Sequence, residues 1–229
     1  MLTVSGDHDT TIYGSISGTG GIIKNGSGTL TLNGNNTFSG SISINGGTLA
    51  LNSEDAIRNV PSITVNAGTL FLGGNGDWDD SSVAIYLVGG DLEMSDGSDG
   101  FGELEISGHS QIKLKPGGNG SILRFAGAKW AGGSLTIHGW SGQPGRPGTD
   151  DRIFFKSKPN DMFLIYVTFD GFNPGGMVLE AGSSWELVPV PETSDYALMV
   201  ALGLLGFAVR RRLAIFNLGP KCCSKVDNS

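Results

Sequence analysis

Cysteine is nearly missing from this sequence: Cys222 and Cys223 are the two present, both close to the C-terminal end. No disulfide can staple residues 1–209, and no metal site can be built there on thiolates. Neighbouring cysteines rarely bond to each other, so the pair reads as two incidental thiols. Charge is sparse as well, at 16% of residues, against about a quarter in typical domains. Positive charge is the scarcer sign: residues 1–209 carry 10 Lys/Arg and 21 Asp/Glu, a net of −11, while residues 210–229 carry 5 and 1, a net of +4. An acidic body without a basic, aromatic-interleaved stripe excludes nucleic acid as a partner. Nucleophile elbows of the Gly-x-Ser-x-Gly type, His-Glu-x-x-His pairs and phosphate-binding P-loops are absent too.

Glycine is abundant instead, with 38 of 229 residues, more than double the usual share of about 7%. Such a content excludes a helical bundle, because Gly is among the poorest helix formers. It also excludes collagen, since the glycines keep no period of three. Leu, Ile, Val and Phe are frequent enough to build a core, which sets wholesale disorder aside. The length allows one domain, or one domain plus an appendage.

Much of this glycine belongs to a repeat. Ser41-Ile-Ser-Ile-Asn-Gly-Gly-Thr-Leu-Ala-Leu-Asn52 aligns with Ser62-Ile-Thr-Val-Asn-Ala-Gly-Thr-Leu-Phe-Leu-Gly73, seven of twelve positions matching at an offset of 21. A Gly-x-Leu step recurs at Gly28, Gly47, Gly68, Gly90 and Gly133, with Ser110-Gln-Ile112 filling the gap. Within each unit, apolar and small polar residues alternate, as in Thr29-Leu30-Thr31-Leu32, the period-two mark of a half-buried strand. Asn-Gly, Gly-Gly and Gly-Asn pairs punctuate the units as turns.

A unit of about 21 residues cannot bury its own apolar face, whereas stacked units can. The period predicts an all-β parallel β-helix in which Leu30, Leu49, Leu70, Leu92, Ile112 and Leu135 form one inward ladder and each strand pairs with the rungs above and below. Glycine then suits the corners, where φ is positive and a side chain would crowd the next rung. An antiparallel sandwich fits the spacing of single strands but not the identity between units.

Gly20-Gly-Ile-Ile-Lys-Asn-Gly-Ser-Gly-Thr-Leu-Thr-Leu-Asn-Gly-Asn-Asn-Thr-Phe-Ser-Gly40, continuing to Leu49, resembles the autotransporter-associated β-strand repeat, with a weaker second copy around Ser62 to Leu72. The resemblance implies a right-handed β-helix in a bacterial surface or secreted passenger, and by itself no catalytic residue. Residues 1–138 are therefore expected to form the β-helix. Residues 139–188 are expected to close it: Gln143-Pro-Gly-Arg-Pro-Gly148 reads as a loop, and Arg152–Phe155 and Met162–Phe169 as buried strands of a cap. A solenoid needs such a cap because its last rung leaves unpaired strand edges.

The C-terminal segment has a different pattern. Pro189-Val-Pro-Glu192 leads into an uncharged run, Tyr196 to Val209, followed by Arg210, Arg211 and Arg212. Fourteen helical residues reach about 21 Å, short of the roughly 30 Å hydrocarbon core. The arginines would stay on the cytoplasmic side and leave the acidic body outside. The arrangement is similar to the PEP-CTERM sorting signal, which implies that Pro189, Pro191, Glu192, Arg210, Arg211 and Arg212 are read by an exosortase and that residues 196–209 hold the chain briefly in the inner membrane. Transfer to the cell surface or to an exopolysaccharide matrix would follow. Thr193 replaces the second proline of that motif, and residues 213–229 extend beyond the arginines where such signals usually stop. At the other end Met1–Asp9 has no basic n-region and no apolar h-region, so it is no signal peptide and reads as the start of a fragment.

Candidates for chemistry are few, and no catalytic residue and no cofactor is expected. His8, His109 and His138 fall on separate units and read as satisfied surface histidines. The acidic stretches Gly73–Asp80 and Asp96–Asp99 read as turns, with Asp77, Asp79 and Asp80 as weak Ca²⁺ ligands. The leading reading is a non-catalytic, surface-sorted β-helix, with an adhesive or matrix role. Two others compete with it. One is a polysaccharide-binding or polysaccharide-degrading protein on the same scaffold, with the same aspartates as candidates. The other is an ice-binding surface on the outward threonines Thr29, Thr31, Thr48, Thr64 and Thr69, which do not persist past the second repeat.

Overall fold

The computed structural model describes residues 1–191 except 54, 74–76, 81, 116–119 and 173, and of Asp77–Asp80 only the backbone. The expected membrane segment 196–209, Glu192, the three arginines and residues 213–229 lie outside the described residues. Among the described residues no helix is long and apolar enough to cross a membrane.

Alternating apolar and polar residues form short strands, each pair making one rung. The rungs are β1 (Leu2–Val4) with β2 (Thr10–Ile12), β3 (Ile22–Lys24) with β4 (Thr29–Leu32), β5 (Ile42–Ile44) with β6 (Thr48–Leu51), and β7 (Ser62–Val65) with β8 (Thr69–Leu72). After the added strand β9 (Asp77–Asp80) come β10 (Ala84–Leu87) with β11 (Asp91–Met94), β12 (Gly97–Ile106) with β13 (His109–Lys113), and β14 (Ser121–Trp130) with β15 (Ser134–His138). Next follow β16 (Arg152–Phe155), the short helix α1 (Asp161–Ile165), β17 (Val167–Phe169), β18 (Gly176–Ala181) and β19 (Ser184–Pro189). One sheet runs β1-β3-β5-β7-β10-β12-β14-β16 and the other β2-β4-β6-β8-β11-β13-β15-β17. Every neighbouring pair along these two runs is parallel. The result is an all-β parallel solenoid with eight parallel strands in each of its two sheets and roughly 22 residues per turn.

The core is the inward side of these two sheets. Ile22, Ile42, Ile63, Ile85 and Leu104 stack in register through the first sheet. Leu30, Leu49, Leu70, Leu92 and Ile112 do so through the second. All ten are buried, and burying each contributes about 1.5–3 kcal/mol of hydrophobic stabilisation before entropy is counted.

The ladder departs from the expected one at its next step. Ile137, not Leu135, stands over Ile112, and Leu135 stands over Ser110. The rung between them has lengthened, so the Gly-x-Leu match at Gly133 is two residues out of register. Both residues still face inward because a shift of two preserves the side of the strand. The buried Ser110 hydroxyl, under Leu135, has no hydrogen-bond partner.

The lengthening adds a third column to the core. The ten-residue strands β12 and β14 bring Phe101, Phe125 and Phe155 into register, with ring centroids 6.1 and 5.9 Å apart. Phe163 of α1 meets the end of this stack edge-on at 5.6 Å.

The segment Met162–Phe169, expected as one strand, is a helical turn followed by a strand. Asn160 caps the turn by accepting the Phe163 N–H at 2.9 Å, and β17 starts at Val167. Parallel pairing thus continues through β16 and β17, past residue 138, before the chain changes sense. The antiparallel hairpin β18–β19 then covers the edge of β16. Pro189 is the last residue of β19, paired with Gly176 and accepting the Gly145 N–H at 3.0 Å, so it belongs to this closing hairpin.

Rung spacing explains the glycines. Gly47 and Gly68 have φ of +63° and +78°. A Cβ on Gly68 would drive into the Gly47 carbonyl, and one on Gly47 into that of Gly28. Gly68→Ala is expected to cost about 2 kcal/mol or more, from the left-handed backbone and the clash together. Urea denaturation monitored by circular dichroism checks this, and an unchanged midpoint would contradict it.

Candidate functional surface

The outward residues of the rungs form columns, because a parallel register places equivalent positions directly above one another. On the second sheet one column reads Thr29, Thr48, Thr69, Asp91, Gln111, Thr136, Thr168. The neighbouring one reads Thr11, Thr31, Ala50, Phe71, Glu93, Lys113, His138. The threonine array therefore ends at Asp91 in the first column, to return at Thr136 and Thr168, and already at Ala50 in the second. Thr64 lies on the other sheet, beside Ser43 and Tyr86. A flat, regular threonine face of the kind an ice-binding surface needs is not built.

Polar side chains along the axis bond to one another. Asn45 donates to Asn25 at 2.9 Å and Asn66 to Asn45 at 2.8 Å, while the Ser41 and Ser62 hydroxyls are 2.9 Å apart. Further up, Lys113 reaches both Asp91, at 2.9 Å, and Glu93, at 2.7 Å. Its hydrogen bonds to Glu93 and then Asp91 raise its pKa above the ordinary lysine value. His138 Nδ1 lies 3.0 Å from the Asp170 carboxylate, His109 bonds to the Ser134 hydroxyl, and His8 is exposed. The three histidines thus stay apart, and His109 and His138 each bond to a residue of the following rung.

Four ionisable groups are buried among the described residues: Lys24, Asp99, Asp151 and Glu186. Lys24 occupies an inward position between Val4 and Ile44 and is 2% exposed. Its ammonium donates to the carbonyls of Asn25, Gly26 and Gly46, tying two rung corners together. Burial lowers its pKa, against the raising effect of Asp9. Glu186 is fully buried and accepts from Arg152 at 3.0 and 2.6 Å and from the Gly148 N–H at 2.6 Å. This bidentate clamp fastens the antiparallel hairpin to β16. Asp151, also buried, accepts the Ser121 N–H at 3.0 Å. Desolvation raises its pKa above the ordinary carboxylate value, the Ser121 hydrogen bonds opposing it.

The expected acidic turns have a different backbone. Asp77, Asp79 and Asp80 lie in β9, whose backbone pairs in parallel with Ser98–Phe101 of β12, so this stretch is a strand. Among the described residues no three His, Cys, Asp or Glu side chains gather in a group that could hold a metal ion. Of the expected sorting residues, Pro189 is locked in β19 and Pro191 is the last described residue, while Glu192, Arg210, Arg211 and Arg212 lie outside. The Asn25–Asn45–Asn66 ladder went unread, although all three asparagines follow an inward residue at a repeat end. Lys24 carried the same signal, since Ile22-Ile23-Lys24-Asn25-Gly26 aligns with Ile42-Ser43-Ile44-Asn45-Gly46 and so puts it at an inward position, but its charge hid this.

With these columns in view, comparison with known proteins becomes specific. Residues 22–51 match the passenger-associated-transport-repeat family. That segment runs from β3 to the end of β6, two rungs of the stack. A stretch of 107 residues, 45% of this chain, is 40% identical to the adhesin BmaC autotransporter of Brucella suis biovar 1 (strain 1330). The chain spans about 3% of the length of that protein. No solved structure matches. The repeat part of the expected resemblance thus has independent support.

Asp151 supplies a pH test. A carboxyl whose folded pKa is raised contributes stability below its unfolded pKa and loses it as pH rises through the folded one. Asp151→Asn keeps an oxygen for the Ser121 N–H and removes the buried charge. The variant is expected to have a higher urea midpoint than the parent at pH 7, with the gain shrinking towards about pH 3. A gain that grows on acidification would contradict the assignment.

Proposed function

We propose that this chain is an exported, non-catalytic β-solenoid of a bacterial surface, with an adhesive or matrix-forming role. The supporting observation is the stack itself. Two of its rungs match a passenger repeat, a 107-residue stretch resembles an autotransporter adhesin, and the asparagines Asn25, Asn45 and Asn66 bond to one another along the axis. Such a surface is long, regular and rigid, which suits multivalent contact better than turnover of a single bound substrate. The coil is right-handed, as parallel crossovers within a sheet almost always are.

The tail has a separate role in this proposal. Pro191 and Glu192 mark the site read by an exosortase, the apolar residues 196–209 hold the chain in the inner membrane, and Arg210–Arg212 stay on the cytoplasmic side. The body is then released to the cell surface, where exopolysaccharide is its partner. Because Pro189 is bonded into β19, the segment presented to the enzyme starts at Pro191 and not earlier.

Expression behind a secretory signal together with an exosortase tests the sorting step. Pro191→Ala and Glu192→Ala are expected to abolish tail cleavage, whereas Pro189→Ala leaves it intact. Unchanged processing in the first two would remove sorting from the account. Turnover of acidic polysaccharides by the purified chain would overturn the non-catalytic reading.

A further inference from the structure

We propose that the cap end of the solenoid is a docking face for an anionic lipid bilayer, which would stand the long axis up from the membrane. This deepens the membrane reading of residues 196–209 and rests on it. The face is centred on α1 and the residue after it. Met162, Ile165 and Tyr166 follow the i, i+3, i+4 spacing of one helical side and are 45%, 62% and 39% exposed. The opposite side of the helix is anchored, with Phe163 buried against Phe155. Tyr166 cannot fold away, because its ring lies on Trp130 at 4.5 Å and 7°. Tyrosine and tryptophan are suited to the interfacial zone, where one end of the ring is apolar and the other wet.

Charge selects the occupant. Residues 1–106 hold 2 Lys/Arg and 13 Asp/Glu, a net of −11, whereas residues 107–191 hold 8 and 6, a net of +2. Lys113, Lys115 and Lys129 are paired with acidic residues of the preceding rungs and Arg152 with Glu186, so the positive charge that an anionic surface meets at the cap is that of Lys156 and Lys158. Lys156 and Lys158 are exposed just ahead of α1, Lys158 standing 4.8 Å over the Trp185 ring. Around them, Lys129 is paired with Glu103 and Asp170 with His138, while Asp150 ahead of β16, Asp161 in the first helical turn and Glu180 on β18 are further acidic groups of the cap. Three apolar side chains beside two lysines bind weakly and reversibly, enough to orient a body that a membrane segment already tethers.

Flotation of the full chain with lipid vesicles tests the proposal. Leu202→Asp with Leu205→Asp places charge in the apolar run and disables its insertion; the basic residues 210–229 are the same in every variant, so the part of the remaining binding that the cap substitutions remove belongs to the cap. On that background the chain is expected to float with vesicles containing phosphatidylglycerol, not with pure phosphatidylcholine, and to be released by high salt. Lys156→Glu with Lys158→Glu should weaken binding roughly 30-fold, and Met162→Ser with Ile165→Ser roughly ten-fold. All four positions are exposed, and equal urea midpoints verify the fold; Lys156→Gln with Lys158→Gln, a milder pair, should give an intermediate loss. A tail-disabled chain that ignores anionic vesicles, or binding unmoved by either pair, would overturn the docking face. Self-association in sedimentation velocity that Met162→Ser with Ile165→Ser relieves would assign the patch to a second copy and overturn it equally. Failure of the unmodified chain to float with phosphatidylcholine would instead sink the membrane reading of the tail.

Discussion

The spacing of about 4.8 Å between hydrogen-bonded strands governs this molecule. Each rung lies that close to the one below, so whatever occupies a position must tolerate a near copy of itself directly beneath. Leu and Ile meet the demand inside by interdigitating. Asn meets it at a corner by donating to the Asn below and accepting from the one above. At Gly47 and Gly68 even a Cβ is excluded, since the carbonyl of the lower rung fills its place. Composition, period and stability follow from the same constraint.

The constraint relaxes towards the C-terminal end. Leu30 to Leu49 is a step of 19 residues, whereas Ile112 to Ile137 is 25 and Ile137 to Phe169 is 32. The extra chain goes into the longer β12 and β14, into the phenylalanine stack and into α1. Aromatic rings join the aliphatic ladders there because the wider section leaves more volume to fill. The parallel stack then ends through an antiparallel hairpin clamped by Arg152 and Glu186. Once the edge of β16 is paired, no further rung is templated on that sheet.

The repeat was legible because identical residues at a fixed offset can arise only from equivalent positions. The columns up to Ile112 follow from Gly28, Gly47, Gly68 and Gly90 without any coordinates. Legibility failed where the offset changed: at Gly133 a local Gly-x-Leu match outweighed a rung that had grown. Met162–Phe169 failed for another reason, since a continuous apolar run carries no period to separate helix from strand. The Asn160 cap, the one local signal for the helix, lay just before it. Asp77–Asp80 was hidden by composition, because Asp is poor in strands and only pairing with β12 holds it extended. The outward columns were readable as far as the threonines. The exposed side of α1 was not, because it depends on the helix being there at all.

Function in this account comes from length and regularity, so it depends on the stack being parallel and in register. The most direct measurement is a pulsed electron–electron distance between nitroxides at Thr29→Cys and Thr136→Cys, with Cys222→Ser and Cys223→Ser as background. These positions occupy one column five rung steps apart, and five steps at the strand spacing amount to about 24 Å between backbones. A single narrow distribution near that value, broadened only by the label arms, is the predicted result. A broad distribution, or one centred far from it, would contradict the register and with it the stacked surface on which the function rests.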